Sequence, residues 1–327
     1  MPRPVWSVSL AACLALTSPL PAPGQTADAA DTGVLSETPF TPEWDGICAE
    51  GATLGDGCDR IRARDIVDAG AAPWRAIGRV NFASTRVRGH CTGTLVGEAV
   101  VATAAHCLYN RARKSWIPAG SILFAAGYQR GGYTAISRVD RYVLDPDQDR
   151  AGNAFAANPS RDWALLILEE PIGREVGFLE MTALADEELW TADLDFAGYP
   201  GLRQHVLSVE RDCGGAELAA GGRLLLQQCP VMRGDSGGPV LVVEDGTPVL
   251  AAVLSGVISD GTALVSGSVP VASFVAALRD ALGAEVLPGV EPPEGGEAGA
   301  TDGGTGKKAT PPPEPIPTYP PPPPRGR

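Results

Sequence analysis

A chain of 327 residues with 44% hydrophobic residues is long enough to bury a core built as two sub-domains, but its two ends do not read as part of that core. The net charge is −13, and no stretch gathers Lys and Arg into a basic stripe, which excludes nucleic acid as a partner. The same acidity favours solubility and says little of what the protein acts on.

Residues 1–24, MPRPVWSVSLAACLALTSPLPAPG, pass from one arginine through an apolar stretch to small residues, the pattern of a secretory signal peptide cut before Gln25. The run is short and broken by Pro19, Pro21 and Pro23, so it does not read as a membrane span. Leu10-Ala11-Ala12-Cys13 also fits a lipoprotein box. The apolar run continues beyond Cys13, which leaves an anchor there as the minority alternative. A secreted or periplasmic location is expected. Of the seven cysteines, removal of the signal leaves Cys48, Cys58, Cys91, Cys107, Cys213 and Cys229. An even set in an oxidising compartment reads as three disulfides. Nearest-neighbour pairing (Cys48–Cys58, Cys91–Cys107, Cys213–Cys229) closes short loops, the longer two worth ~3 kcal/mol each in the chain-entropy model.

Residues 25–64 lack regular periodicity and suit an N-terminal extension or pro-segment clipped by Cys48 and Cys58; a plain exposed lead-in fits as well. From Ala71 onward the pattern becomes short β-type runs: AIGRVNF, TGTLV, AVVATA, SILFAAG, WALLILEE, LDFAGY, RLLLQQ, PVLVV and PVLAAVLSGVIS. Gly, Asp, Asn and Pro separate them, the mark of an all-β barrel or sandwich. TGTLVGEAVVATAAHC reads as a hairpin turning near Gly97-Glu98, and HVLSVE as a strand containing His205. One helix is expected near the end, where PVASFVAALRDALG places Val271, Phe274, Val275, Leu278 and Leu282 on one face and Gly283 stops it. Residues 287–327 are Pro- and Gly-rich and are expected to be disordered with polyproline character.

VMRGDSGGPV, residues 231–240, holds a G-x-S-x-G that could be the nucleophile elbow of an α/β-hydrolase. Those enzymes carry their histidine after the serine. Here His90, His106 and His205 all precede Ser236, and the runs before it are strands without crossover helices. The order His, acid, Ser remains. A disulfide between Cys91 and Cys107 would pin the segment carrying His106, which suits a general base that must stay in reach of its serine. The same residues, His90-Cys91 and His106-Cys107, could instead form a Cys2His2 zinc site, though export and the β pattern favour the disulfide.

The segments APWRAIGRV, CTGTLVGEAVVATAAHC, DWALLIL and CPVMRGDSGGPVLV together resemble the trypsin/chymotrypsin-type serine proteases, and within them the bacterial glutamyl endopeptidase-like branch, over about residues 73–286. The resemblance implies two antiparallel β-barrels, a protease domain over residues 65–286, a polypeptide substrate, no metal or organic cofactor, and a monomer. It makes Ser236 the nucleophile and His106 the base. The third member is expected to be a buried acid that opens a strand, and Asp162 in SRDWALLIL fits. Asp195 in DLDFAGYP is the alternative, while Asp140, Asp145, Asp147 and Asp149 read as a solvated loop. The N–H groups of Gly234 and Ser236 would form the oxyanion hole, and glycine is required at 234 because a Cβ would obstruct the inward-facing peptide. Asp235 is implied to pair with a buried cation, either a newly cut N-terminus or an arginine; Arg62 or Arg64 in DRIRARDIV would be the processing site. The IVGG start of the digestive enzymes is replaced by IVDAG.

For substrate binding, Pro230 stands where trypsin-like members have an acid, and no histidine follows Ser236 as it does in glutamyl-specific relatives. Ser255 and Gly256 in LSGVIS resemble the strand that pairs with substrate backbone, with Ser255 also in line to bond the triad acid. Asp260 reads as a turn residue that could reach into the pocket. His90 and His205 read as ordinary surface or packing residues. Two other functions stay open: a protease-like binding protein without turnover, and an esterase on the same scaffold.

Overall fold

The computed structural model describes residues 56–282, apart from 84–87, 149–154, 156–157, 185–188, 190–191, 193, 212, 245 and 260–263. The signal peptide, Cys13, Cys48, Asp149, Asp260, Gly283 and the Pro-rich tail lie outside the described residues. A short helix α1 (Asp56–Ala63) leads into β1 (Asp65–Ile66). β2 (Ile77–Ala83), β3 (Arg88–Leu95) and β4 (Val100–Thr103) follow, then a small hairpin of β5 (Tyr109–Asn110) and β6 (Ser115–Trp116). β7 (Ile122–Ala126), β8 (Ala135–Leu144) and β9 (Ala164–Leu168) complete a closed antiparallel barrel in the order β2-β3-β4-β9-β8-β7.

A single turn of helix, α2 (Gly173–Val176), leads to the second half: β10 (Leu194–Gly198), β11 (Ser208–Glu210), β12 (Ala216–Ala219), β13 (Leu224–Gln227), β14 (Pro239–Glu244), β15 (Thr247–Ser259) and β16 (Leu264–Pro270). With β1 they form an eight-stranded antiparallel sheet in the order β1-β11-β10-β14-β15-β16-β13-β12. The fold is all-β, as expected, with one barrel closed by hydrogen bonds and the second layer carried by this sheet.

Several strands are buried along their whole length. Every residue of VVAT in β4, ALLIL in β9 and LDFAG in β10 is buried, so both faces are covered and alternation disappears. The C-terminal helix α3 (Val275–Leu282) follows a 3-10 turn at Val271–Ser273. Its Phe274, Val275 and Leu278 are buried against Trp163, Val96 and Val100 of the barrel and Leu250 and Val253 of the sheet, with the Phe274 and Trp163 rings 5.6 Å apart. The helix therefore seals the seam between the two halves.

Four local expectations change. Asp140 lies in β8 and not in a loop. His205 lies in a turn, and its strand starts only at Ser208. Asp145 is buried, accepting from Trp163 Nε1 at 3.2 Å and paired with Arg223; it fastens the loop before β9 to the core. Residues 56–64 pack as part of this same body, with Cys58 and Ile61 fully buried. Cys58 is disulfide-bonded.

Candidate active site

The hairpin β3–β4 delivers His106 as expected. A 3-10 turn, Ala105–Leu108, follows β4, and all four of its residues are buried. The Cys91–Cys107 disulfide ties that turn back to β3, which removes both sulfurs from the zinc reading; a second bridge joins Cys213 and Cys229. On the opposite side, Asn158 caps a 3-10 turn at Pro159–Arg161 by accepting from Ser160 N–H, and Asp162 follows just before the buried strand β9.

The two segments meet through Asp162. Its Oδ1 accepts the His106 backbone N–H at 2.8 Å, and its Oδ2 accepts His106 Nδ1–H at 2.6 Å. Ser255 Oγ–H donates to the same Oδ2 at 2.6 Å. β15 slips register between Leu254 and Gly256, and a bulge of this kind re-aims one side chain; here it turns Ser255 toward the acid. Asp195 is engaged elsewhere, paired with Arg211.

Ser236 sits in the loop before β14, and its Oγ is buried without a hydrogen-bond partner among the described residues. Thr92 of β3 holds this loop from the barrel side. Its N–H donates to Ser236 O at 2.8 Å, its Oγ1–H donates to Gly234 O at 2.8 Å, and its Oγ1 accepts Tyr199 N–H at 3.1 Å. With their carbonyls committed, the N–H groups of Gly234 and Ser236 donate to nothing among the described residues. Buried donors left unpaired are rare in proteins and ask for a ligand. Gly234 has φ +97, and a Cβ there would run into Tyr199 O and stand 2.7 Å from His90 Nε2. His90, read from sequence as an ordinary residue, donates Nε2–H to Tyr199 O at 2.9 Å and so backs this turn.

Asp235 is wholly buried, and the cation against it is Arg64. Arg64 Nη1–H and Nη2–H donate to its two carboxylate oxygens at 2.9 Å each, and Nη2–H also donates to Pro230 O at 2.6 Å. Pro230, singled out as a pocket residue, thus presents its carbonyl to Arg64. Beyond Val253, β15 pairs only with β16 among the described strands, so its edge from Ser255 and Gly256 onward is open to a further strand. Thr92 escaped the sequence reading, and of the two cations expected for Asp235, a freed N-terminus or an arginine, the structure has the arginine but at a position no local pattern marks.

A mostly antiparallel two-lobed architecture, with His106 hydrogen-bonded to Asp162 and Ser236 buried in the loop before β14, is that of a chymotrypsin-like chain. The family model described as Trypsin matches residues 65–278, and the chain belongs to the trypsin family. It is similar to a glutamyl endopeptidase of Bacillus licheniformis, 31% identical over 144 residues, 44% of this chain and 40% of the relative; the match thus spans less than half the length of that relative. Among solved structures it resembles a Glu endopeptidase (TM-score 0.54, 21% identity, covering 67% of this chain and 95% of that one). It also resembles the protease Anisep from Arthrobacter nicotinovorans (TM-score 0.50, 18% identity, 65% and 98%). At those identities the two structures speak for the fold.

Proposed function

We propose that the protein is a serine endopeptidase in which Ser236, His106 and Asp162 form the catalytic triad. The observation that supports it most is the double clamp of His106 by Asp162. With Nδ1–H donated to Asp162, the lone pair of the imidazole is on Nε2, the atom that must take the serine proton. Ser236 Oγ adds to a peptide carbonyl carbon as its proton passes to His106 Nε2. The oxyanion takes the unpaired N–H groups of Gly234 and Ser236. His106 then gives the proton to the departing amine, the C–N bond breaks, and water hydrolyses the acyl-enzyme by the same route in reverse.

Substrate backbone would join the open edge of β15 at Ser255 and Gly256. The glutamyl endopeptidase relative suggests an acidic preference, yet Leu254, Gly256 and Val257 stand here without a histidine, and Pro230 supplies no acid for a basic residue. Cleavage after Lys or Arg is therefore not expected. Two formed disulfides support an oxidising, secreted or periplasmic location, and no described helix is long and apolar enough to cross a membrane. The proposed working unit is a monomer with no cofactor.

The test is covalent labelling with a serine-directed fluorophosphonate, mapped by peptide mass spectrometry. An adduct on Ser236 that vanishes in Ser236→Ala and His106→Ala supports the triad. Lack of any adduct on the folded protein gives the site to a binding protein without turnover, and turnover of esters but never of peptides gives it to an esterase.

A further inference from the structure

The motif DRIRARDIV leads into the family-matched region and has a place in the site. Arg60 and Arg64 are four residues apart and lie on one flank of α1 and its end. Glu210 of β11 sits between them: Arg60 Nη2 is 2.7 Å from its Oε1, and Arg64 Nε is 3.9 Å from its Oε2. Arg64 then spans both oxygens of Asp235 and lies with its guanidinium carbon 5.2 Å from the centre of the Phe196 ring. Charges thus alternate from the surface inward, Arg60, Glu210, Arg64, Asp235, and the last two side chains have no exposure.

Asp235 stands between the two residues whose N–H groups are unpaired. The turn is held on three sides, by Thr92 Oγ1 on Gly234 O, by Thr92 N on Ser236 O, and by Arg64 on the carboxylate between them. Asp235 Oδ2 also accepts Met232 N–H at 3.0 Å. A carboxylate with no exposure is costly to keep charged, and besides Arg64 the described residues give Asp235 only the Met232 N–H. Without Arg64 the Asp235 side chain must protonate or swing toward water, and either change rotates the peptides on both sides of it.

The backbone around the Arg64–Asp65 bond is tied down, although Asp65 and Ile66 are exposed. Arg203 Nη1–H donates to Arg64 O at 3.0 Å, and its Nη2–H donates to Arg62 O. The next two residues pair with β11 as β1. An arginine buried in this way cannot enter the pocket of a processing enzyme.

We propose that Arg64, carried by the segment ahead of the barrels, is the built-in cation that holds the Gly234–Ser236 turn in working shape, so that the protein is active with the Arg64–Asp65 bond intact and is switched off by a cut there. This rests on the serine peptidase reading above. Arg64 is a positioning residue: it acts on the turn and touches no substrate.

The experiment begins with the full chain. Wild-type protein is labelled with the fluorophosphonate and its labelled form is sequenced from the N-terminus. The expected labelled species contains Arg64 joined to Asp65; a labelled species that begins at Asp65 or Ile66 overturns the inference while leaving the peptidase reading standing. Absence of a label in every form counts against the peptidase reading itself. Arg64→Ala is expected to lower kcat for an ester substrate about 100-fold with KM changed little, as loss of an oxyanion donor does. A cleft of about 210 Å³ is lined by Arg60, Arg64, Asp65, Glu210 and others, so free guanidinium can reach the space left by the side chain. Millimolar guanidinium should restore much of the lost rate in Arg64→Ala, and an equal concentration of tetramethylammonium should not. Should Arg64→Ala fail to fold, Arg64→Lys keeps the buried charge without the two-pronged geometry and is expected to lose about tenfold in kcat. Wild-type kcat in the folded Arg64→Ala, or in Arg64→Lys where that variant stands in for it, overturns the proposal.

Discussion

Two buried carboxylates flank Ser236, and they are held in opposite ways. Asp162, on the barrel side, accepts three hydrogen bonds, from the His106 N–H, His106 Nδ1–H and Ser255 Oγ–H. Asp235, on the sheet side, faces the guanidinium of Arg64, which never gives up its proton. Burial pushes the Asp235 carboxyl up, and the charge and hydrogen bonds of Arg64 oppose that shift. The first arrangement leaves room for a proton to arrive on the imidazole and be stabilised there. The second has no proton to exchange, so its charge is constant and its contribution is geometry. On the proposed reading, one carboxylate serves the chemistry and the other serves the shape of the turn that the chemistry uses.

The difference can be broken most severely at Asp162. Asp162→Asn keeps an acceptor for one donor but turns an N–H toward His106, which must then present Nδ1 as acceptor and carry its proton on Nε2. That tautomer cannot take the serine proton. A drop in kcat of about 10⁴ with little change in KM is expected, measured on ester and peptide substrates. A loss of tenfold or less would mean that His106 does not depend on this acid.

The shape of the turn is tested by Gly234→Ala. The backbone there has φ +97, and the added Cβ meets Tyr199 O and the His90 ring. The peptide must rotate and carry its N–H with it. A fall in kcat of about 10² to 10³ is expected from the lost donor, with about 1–3 kcal/mol of destabilisation from backbone strain. Thermal unfolding and kcat measured on the same sample separate the two. An unchanged kcat in a folded variant would remove Gly234 from the oxyanion site.

How far each region was legible follows from the range of its interactions. Strands that are mostly apolar, such as ALLIL in β9 and LDFAG in β10, announce themselves locally. β8, AISRVDRYVL, alternates buried Val139 with exposed charges, and β16, LVSGSVP, buries Ser266 and Ser268; neither makes an apolar run, so neither is among the runs that the sequence marks as strands. Asp162 could be singled out because an acid at the start of an apolar strand is a local pattern; its burial and its bond to His106 come only with the fold. Arg64 and Asp235 are 171 residues apart, and nothing near either one names the other. Asp145 reads as one acid in a charged loop, and only the folded chain brings Trp163 and Arg223 to it. Local sequence thus carries the proton-handling side of the site, while the shape-holding side depends on long-range pairs.

The smallest effect expected is on stability alone, at the residue that backs the turn. His90 donates Nε2–H to Tyr199 O, and its pKa is lowered from 6.5 to about 4, chiefly by burial and next by the nearby charge of Arg79. A histidine with a depressed folded-state pKa is neutral in the fold while the unfolded chain takes up a proton. Above pH 6.5 both states are neutral and His90 contributes no pH dependence. Between about 6.5 and about 4 the unfolded state binds more protons, so stability falls as the pH falls, by up to ~3 kcal/mol for a fully shifted group. His90→Gln keeps an N–H for Tyr199 O and removes the charge. Its unfolding midpoint should therefore decline less steeply than that of the wild type over this window and run parallel to it above pH 7. Parallel curves throughout would place His90 in contact with water, and the turn would then owe its backing to Thr92 and Arg64 alone.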